Sequence, residues 1–238
     1  MNFKYLGAIL AITAMSLVNA APVTLNFTSG GGLGTIGNVL NYSNGGVTAT
    51  VTSWSLLTDG ANFTKAATGR WGSGLGVCNS AEIASAPNGC TDPQHTMDND
   101  GQKDFILFQF NQSVDPLSLV VTAFSTGDSD LSYWTGNTAA STTLLVGQTL
   151  AGLGGLGFGG QLENLDNTAT NPRTAALVSG NVNSLLIAAS LINADCVKDY
   201  IKVGSLTVDS APVPEPGTMG LLGLALAGLG VMRMRKRG

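Results

Sequence analysis

Hydrophobic and polar residues alternate with period two along short stretches of this chain, and turn-forming residues separate the stretches. From Pro22 to Thr28, Val23, Leu25 and Phe27 fall on one face and Thr24 and Asn26 on the other, the pattern of a half-buried strand. Gly46 to Leu57 repeats it with Val47, Ala49, Val51 and Ser53, and Asn44-Gly45 gives a hairpin signal just before. Phe105-Ile106-Leu107-Phe108-Gln109-Phe110 is a dense aromatic and β-branched run, which predicts a buried central strand. Leu117 to Phe124 predicts another, with Asn111 to Asp115 and Pro116 as the turn between them. Thr142 to Val146, Ser184 to Ala189 and Tyr200 to Val208 are further candidates. No segment shows an amphipathic helix with caps, although Leu185 to Ala194 would tolerate one. The pattern predicts an all-β fold, an antiparallel β-sandwich of jelly-roll type.

The two ends break this pattern. Lys4 precedes a mostly apolar run from Leu6 to Val18, and Val18-Asn19-Ala20 offers a small-residue cleavage site. These are the parts of a signal peptide over residues 1–20, cut by signal peptidase between Ala20 and Ala21. At the other end, Val213-Pro214-Glu215-Pro216 is held extended by its prolines. An apolar run to Met232 follows, then four cations within the last six residues. Gly217 to Met232 spans about 24 Å as a helix, short of the ~30 Å hydrocarbon core, so it predicts a marginal transmembrane helix. The cationic end would stay in the cytoplasm. Residues 21–211 are left as the exported domain.

Pro214-Glu215-Pro216, the short Gly/Leu/Ala-rich span and the Arg-rich end resemble the PEP-CTERM sorting signal of Gram-negative bacteria, here over residues 212–238. The resemblance implies an exosortase, a membrane-embedded cysteine protease, that cuts near Pro214, Glu215 and Pro216. The product would be anchored transiently in the inner membrane and then delivered to the cell surface or the extracellular matrix, as in biofilms. A second likeness covers residues 74–134: Gly74-Leu75-Gly76-Val77, Gln94 to Asn99, Asp104 to Phe110, and the strand leading to Asp128-Ser129-Asp130. That order is similar to a group of exosortase-dependent surface proteins without an established activity.

Charge sharpens what the exported domain can bind. Of the 15 acidic and 11 basic residues, only Glu215 among the acids lies in the ends, against Lys4, Arg233, Arg235, Lys236 and Arg237. The domain is therefore strongly acidic, which argues against nucleic acid, whose phosphates need Lys and Arg clusters. It leaves divalent cations and neutral sugars open. Export also permits a disulfide: Cys78 and Cys90 bracket the turn-forming Pro87-Asn88-Gly89, while Cys196 could pair with either or stay free.

Candidate chemistry is sparse. Asp92, Asp98, Asn99, Asp100 and Asp104 crowd one loop, which reads either as a solvated turn or as a structural calcium site led by Asp98, Asp100 and Asp104. His95 is the sole histidine, and a loop hydrogen-bonding role suits it better than a Ser-His-Asp triad. Glu82 and Glu163 are the only glutamates of the domain and show no glycosidase pairing. Gly152-Leu-Gly154-Gly155-Leu-Gly157 matches a dinucleotide pattern literally but opens no evident helix, so a flexible loop is expected. Tyr133 and Trp134 could stack sugars, with buried sandwich aromatics as the other reading. The expectation is a non-enzymatic structural or adhesive surface protein with no certain cofactor. The alternative is a carbohydrate-binding module for exopolysaccharide.

Overall fold

The longest element, β9 (Lys103–Ala123), organises the molecule. In the computed structural model, residues 21–58, 60–85, 90, 95–124, 128–165, 170–178, 180–192 and 195–210 are described. Along the first half of β9, Ile106, Phe108 and Phe110 enter one apolar cluster and Phe105 and Leu107 another, so both faces are covered. The strand does not turn at Asn111 to Asp115 as the polar run predicts; it continues to Leu119 and Val121. Asn111 explains why: its Oδ1 accepts from the Thr48 amide at 2.8 Å, and its Nδ2 donates to the Gly46 carbonyl at 3.2 Å. The side chain thus stands in for ladder bonds just past the last β4 pair, Ala49 with Phe110. The register with β14 slips between Val203 and Ser205 and again between Thr207 and Val208, where the partner is Pro116, which has no amide to donate.

The first half of β9 pairs with β4 (Val47–Leu56) on one edge and β13 (Val182–Ala189) on the other. Beyond β13 lie β10 (Leu131–Gly136) and β11 (Leu162–Asn164), and beyond β4 lie β3 (Leu40–Asn44) and β5 (Thr64–Lys65). The second half pairs with β12 (Arg173–Ala176) and β14 (Tyr200–Ser210). The far edge of β14 carries β1 (Val23–Asn26), β7 (Gly74–Cys78) and β8 (Met97–Asp98) in succession. β7 continues to β6 (Ala67–Trp71) and β6 to β2 (Gly32–Ile36). All of these pairings are antiparallel, and the described strands form one connected sheet.

The two halves of that sheet face one another. Phe27, just after β1, stacks on Phe108 with ring centroids 5.6 Å apart, and Tyr42 of β3 meets Phe27 edge-on at 4.7 Å. Leu25, Val77, Leu119 and Val203 from one half share a buried cluster with Val51, Ile106, Leu131 and Ile187 from the other. Hydrophobic burial between the layers is the main driving force for this arrangement. The fold is all-β, with antiparallel layers around a common core.

A second apolar layer covers the outer face of the β4–β9–β13–β10 half, and the glycine-rich segment builds it. Leu150–Leu156 is a 3₁₀ helix whose N-cap, Thr149, accepts the Gly152 amide on its side chain. The helix and its flanks press Leu145, Leu153 and Phe158 onto Trp54, Phe105, Leu107 and Trp134. The segment is therefore an ordered cover, not the flexible loop that its glycines suggest. Thr142 to Val146 does not form the expected strand either. Its backbone closes turns instead, Leu144 onto Ser141 and Val146 onto Thr143, which uses donors a ladder would need.

One short helix escaped the sequence pattern, α1 (Ser80–Ser85), inside the loop closed by Cys78 and Cys90. Residues Ala21–Ser210 form a compact unit. The expected signal peptide with Ala20, Pro214, Glu215, Pro216 and the transmembrane helix lie outside the described residues. Among the described residues no helix is long and apolar enough to cross a membrane.

Candidate functional site

Three carboxylates converge at one end of the sheet: Glu82, Asp98 and Asp104, with one oxygen of each within 4.8 Å of the others. Each arrives by a different route. Glu82 rides on α1, which starts with a capping box: Asn79 Oδ1 accepts the amides of Ala81 and Glu82, and Glu82 Oε2 accepts the Asn79 amide at 2.8 Å. A Cys78–Cys90 disulfide ties the ends of this loop, anchoring it to β7. Asp98 closes β8, Asp104 opens β9, and Gly101 between them turns the chain at φ 84°, a conformation glycine adopts without strain. Cys196 is exposed and free.

Asp104 is fully buried. Its Oδ1 accepts from Asn79 Nδ2 at 3.3 Å, while its Oδ2 is buried with no hydrogen-bond partner. Burial first, and then the charges of Asp98 and Glu82, hold this carboxyl well above the usual carboxylate range. Burial also pushes Asp98 up to about 8, with Glu82 as the main like-charge neighbour. Glu82 is pushed up to about 7, again mainly by burial.

Asp98 and Asp104 of the sequence-derived calcium trio do come together. Asp100 does not join them, because its carboxylate turns outward to Lys198 Nζ at 2.6 Å and to the Tyr200 hydroxyl at 2.9 Å. The lysine holds Asp100 below the ordinary carboxylate value, and Tyr200 is raised to about 12, by burial and by its bond to Asp100. Glu82 takes the third place. Its signal was readable in the Asn79-Ser-Ala-Glu82 capping pattern inside the cysteine-bounded loop.

A second acidic group, Asp128, Asp130 and Asp199, lies beside the first. Here the polar atoms are well occupied. Asp199 accepts the Asp130 amide at 2.9 Å and Asn99 Nδ2 at 2.6 Å, and Asn99 Oδ1 in turn accepts the Asp199 amide at 3.0 Å. Burial raises Asp199 to about 7, helped by the charges of Asp130 and Asp128.

The aromatic candidates sit elsewhere. Tyr133 is buried in the inter-layer core and Trp134 in the outer cluster, so they point to opposite faces of β10 and form no stacking platform for a sugar. Alternation along the strand dictates this for any adjacent pair. His95 is buried and packs edge-on against Trp71 at 4.8 Å and Phe124 at 6.1 Å. The Nζ of buried Lys202 lies 4.4 Å from the centroids of both Trp71 and Phe124, a cation–π sandwich in the same corner.

The geometry describes an all-β unit with a carboxylate cluster at one end. Comparison with known proteins adds the tail: residues 212–236 match the family model of the PEP-CTERM protein-sorting motif. The chain therefore carries a PEP-CTERM sorting motif, which supports exosortase-dependent export and sorting to the cell envelope. No curated protein and no solved structure matches it.

Proposed function

We propose that this is a non-enzymatic surface or extracellular-matrix protein of a Gram-negative bacterium, delivered by signal peptide and sorting tail and cut near Pro214-Glu215-Pro216 by an exosortase. The observation that carries this reading is the sorting motif over residues 212–236. On this reading the tail holds the chain transiently in the inner membrane, because its apolar run is about 24 Å long and marginal as a permanent span. Once released, the all-β unit of residues 21–210 serves as a structural or adhesive element. The acidic surface suits that setting, where cations are abundant and nucleic acid is not the target.

The reading is tested by cell fractionation in strains with and without the sorting enzyme. It predicts that loss of the enzyme leaves the full chain in the membrane fraction and depletes it from the surface and medium. Equal surface delivery in both strains would contradict it. Replacing Pro214, Glu215 and Pro216 together by alanine should reproduce the loss in the strain that carries the enzyme.

A further inference from the structure

We propose that Glu82, Asp98 and Asp104 bind a calcium ion. The ligand atoms are all hard oxygens, the donor class that calcium takes, and Cys78 and Cys90 beside Glu82 are committed to their disulfide. Carboxylate oxygens sharing one calcium at ~2.4 Å lie at most ~4.8 Å apart, and one oxygen of each residue here falls within 4.8 Å of the others. The independent mark of a ligand is Asp104 Oδ2, which belongs to a fully buried side chain and has no hydrogen-bond partner. A buried carboxylate oxygen left without a partner is costly unless something else meets it.

The surroundings fit an ion site more than a packing accident. Asn79 caps the helix that carries Glu82 and also binds the other oxygen of Asp104, so one residue positions two of the three ligands. Glu82 is only half-buried, which leaves a way in from solvent. The nearby cation Lys198 is engaged by Asp100 at 2.6 Å. The neighbouring group of Asp128, Asp130 and Asp199 has no comparable unpartnered buried oxygen among the described residues, and we assign no ion to it. Calcium sites in extracellular modules typically have dissociation constants of about 10⁻⁴–10⁻³ M, matched to the medium an exported protein meets.

The test uses the full chain in detergent, so its outcome does not depend on where the tail is cut. Calorimetric titration with calcium chloride should show one equivalent bound. With a dissociation constant near 10⁻⁴ M, 10 mM calcium should raise the melting temperature by about 5–10 °C over the chelated protein. Asp104→Asn and Glu82→Gln should each weaken binding at least tenfold and cut the thermal shift to about half or less. Their melting in chelator should be unchanged or higher, because each removes a like charge from the cluster, and that shows they fold. Asp100→Asn should keep the calcium shift. The proposal is overturned if the unmodified chain neither binds calcium nor shifts at 10 mM. It is equally overturned if Asp104→Asn binds as tightly as the parent, or if Asp100→Asn alone abolishes binding.

Discussion

Asn79 Nδ2 donates to Asp104 Oδ1 at 3.3 Å, joining the cap of the only α-helix among the described residues to the start of the central strand. Because Asn79 Oδ1 also accepts the Ala81 and Glu82 amides, its removal should cost more than a cap. Asn79→Ala is expected to destabilise the protein by about 2–4 kcal/mol in urea unfolding, combining a lost cap with a buried carboxylate left unpaired. A loss under about 0.5 kcal/mol would mean that Asn79 does not organise the site.

Asp199 gives the pH dependence a sign. Its folded value is raised from 3.8 to about 7, so the native state holds the proton more tightly than the unfolded chain. The stabilisation it contributes is full below about pH 4 and is lost as pH climbs through about 7. Thermal melts in chelator should therefore show stability falling between pH 4 and pH 7. Asp199→Asn should flatten that decline by an amount on the order of a few kcal/mol across the window. A slope identical to the parent's would refute the assignment.

Reduction of the Cys78–Cys90 disulfide loosens the loop that carries Glu82. Cys78→Ser should lower stability by about 3 kcal/mol by the loop-entropy estimate for a 12-residue separation. Chemical denaturation with and without reductant measures it: the parent should lose this amount on reduction, and the variant should not respond.

The fold was legible where burial demands a simple repeat. Phe105 to Phe110 read as a central strand because both of its faces carry large apolar groups, and it packs between β4 and β13. Asn111 to Asp115 misled because polar residues look like a turn, whereas Asn111 uses its amide to stand in for backbone bonds. The glycine-rich Gly152 to Gly160 segment misled in the same way: its few leucines and Phe158 suffice to cover an apolar sheet face. At the site, Asp98 and Asp104 are near in sequence and could be grouped from it. The cysteine-bounded loop and its Asn79-to-Glu82 cap were readable too, but the pairing of β7 with β14 that carries Glu82 to the two aspartates leaves no local pattern.

Close approach constrains β7. A Cβ on Gly76 would sit 1.8 Å from the carbonyl oxygen of His95, a backbone atom that cannot swing aside. Gly76→Ala should destabilise by about 1–3 kcal/mol or more, whereas Gly30→Ala, with open space around it, should stay within about 0.5 kcal/mol. Paired denaturation curves check the contrast, and equal effects would show that β7 does not pack as described.

Intact mass spectrometry of the protein recovered from the surface or medium reads the fate of the tail. Cleavage by the sorting enzyme predicts a C-terminus at or near Pro214-Glu215-Pro216, with the apolar run and Arg233 to Gly238 removed. A mature protein that still ends at Gly238, in cells that carry an active exosortase, would contradict it.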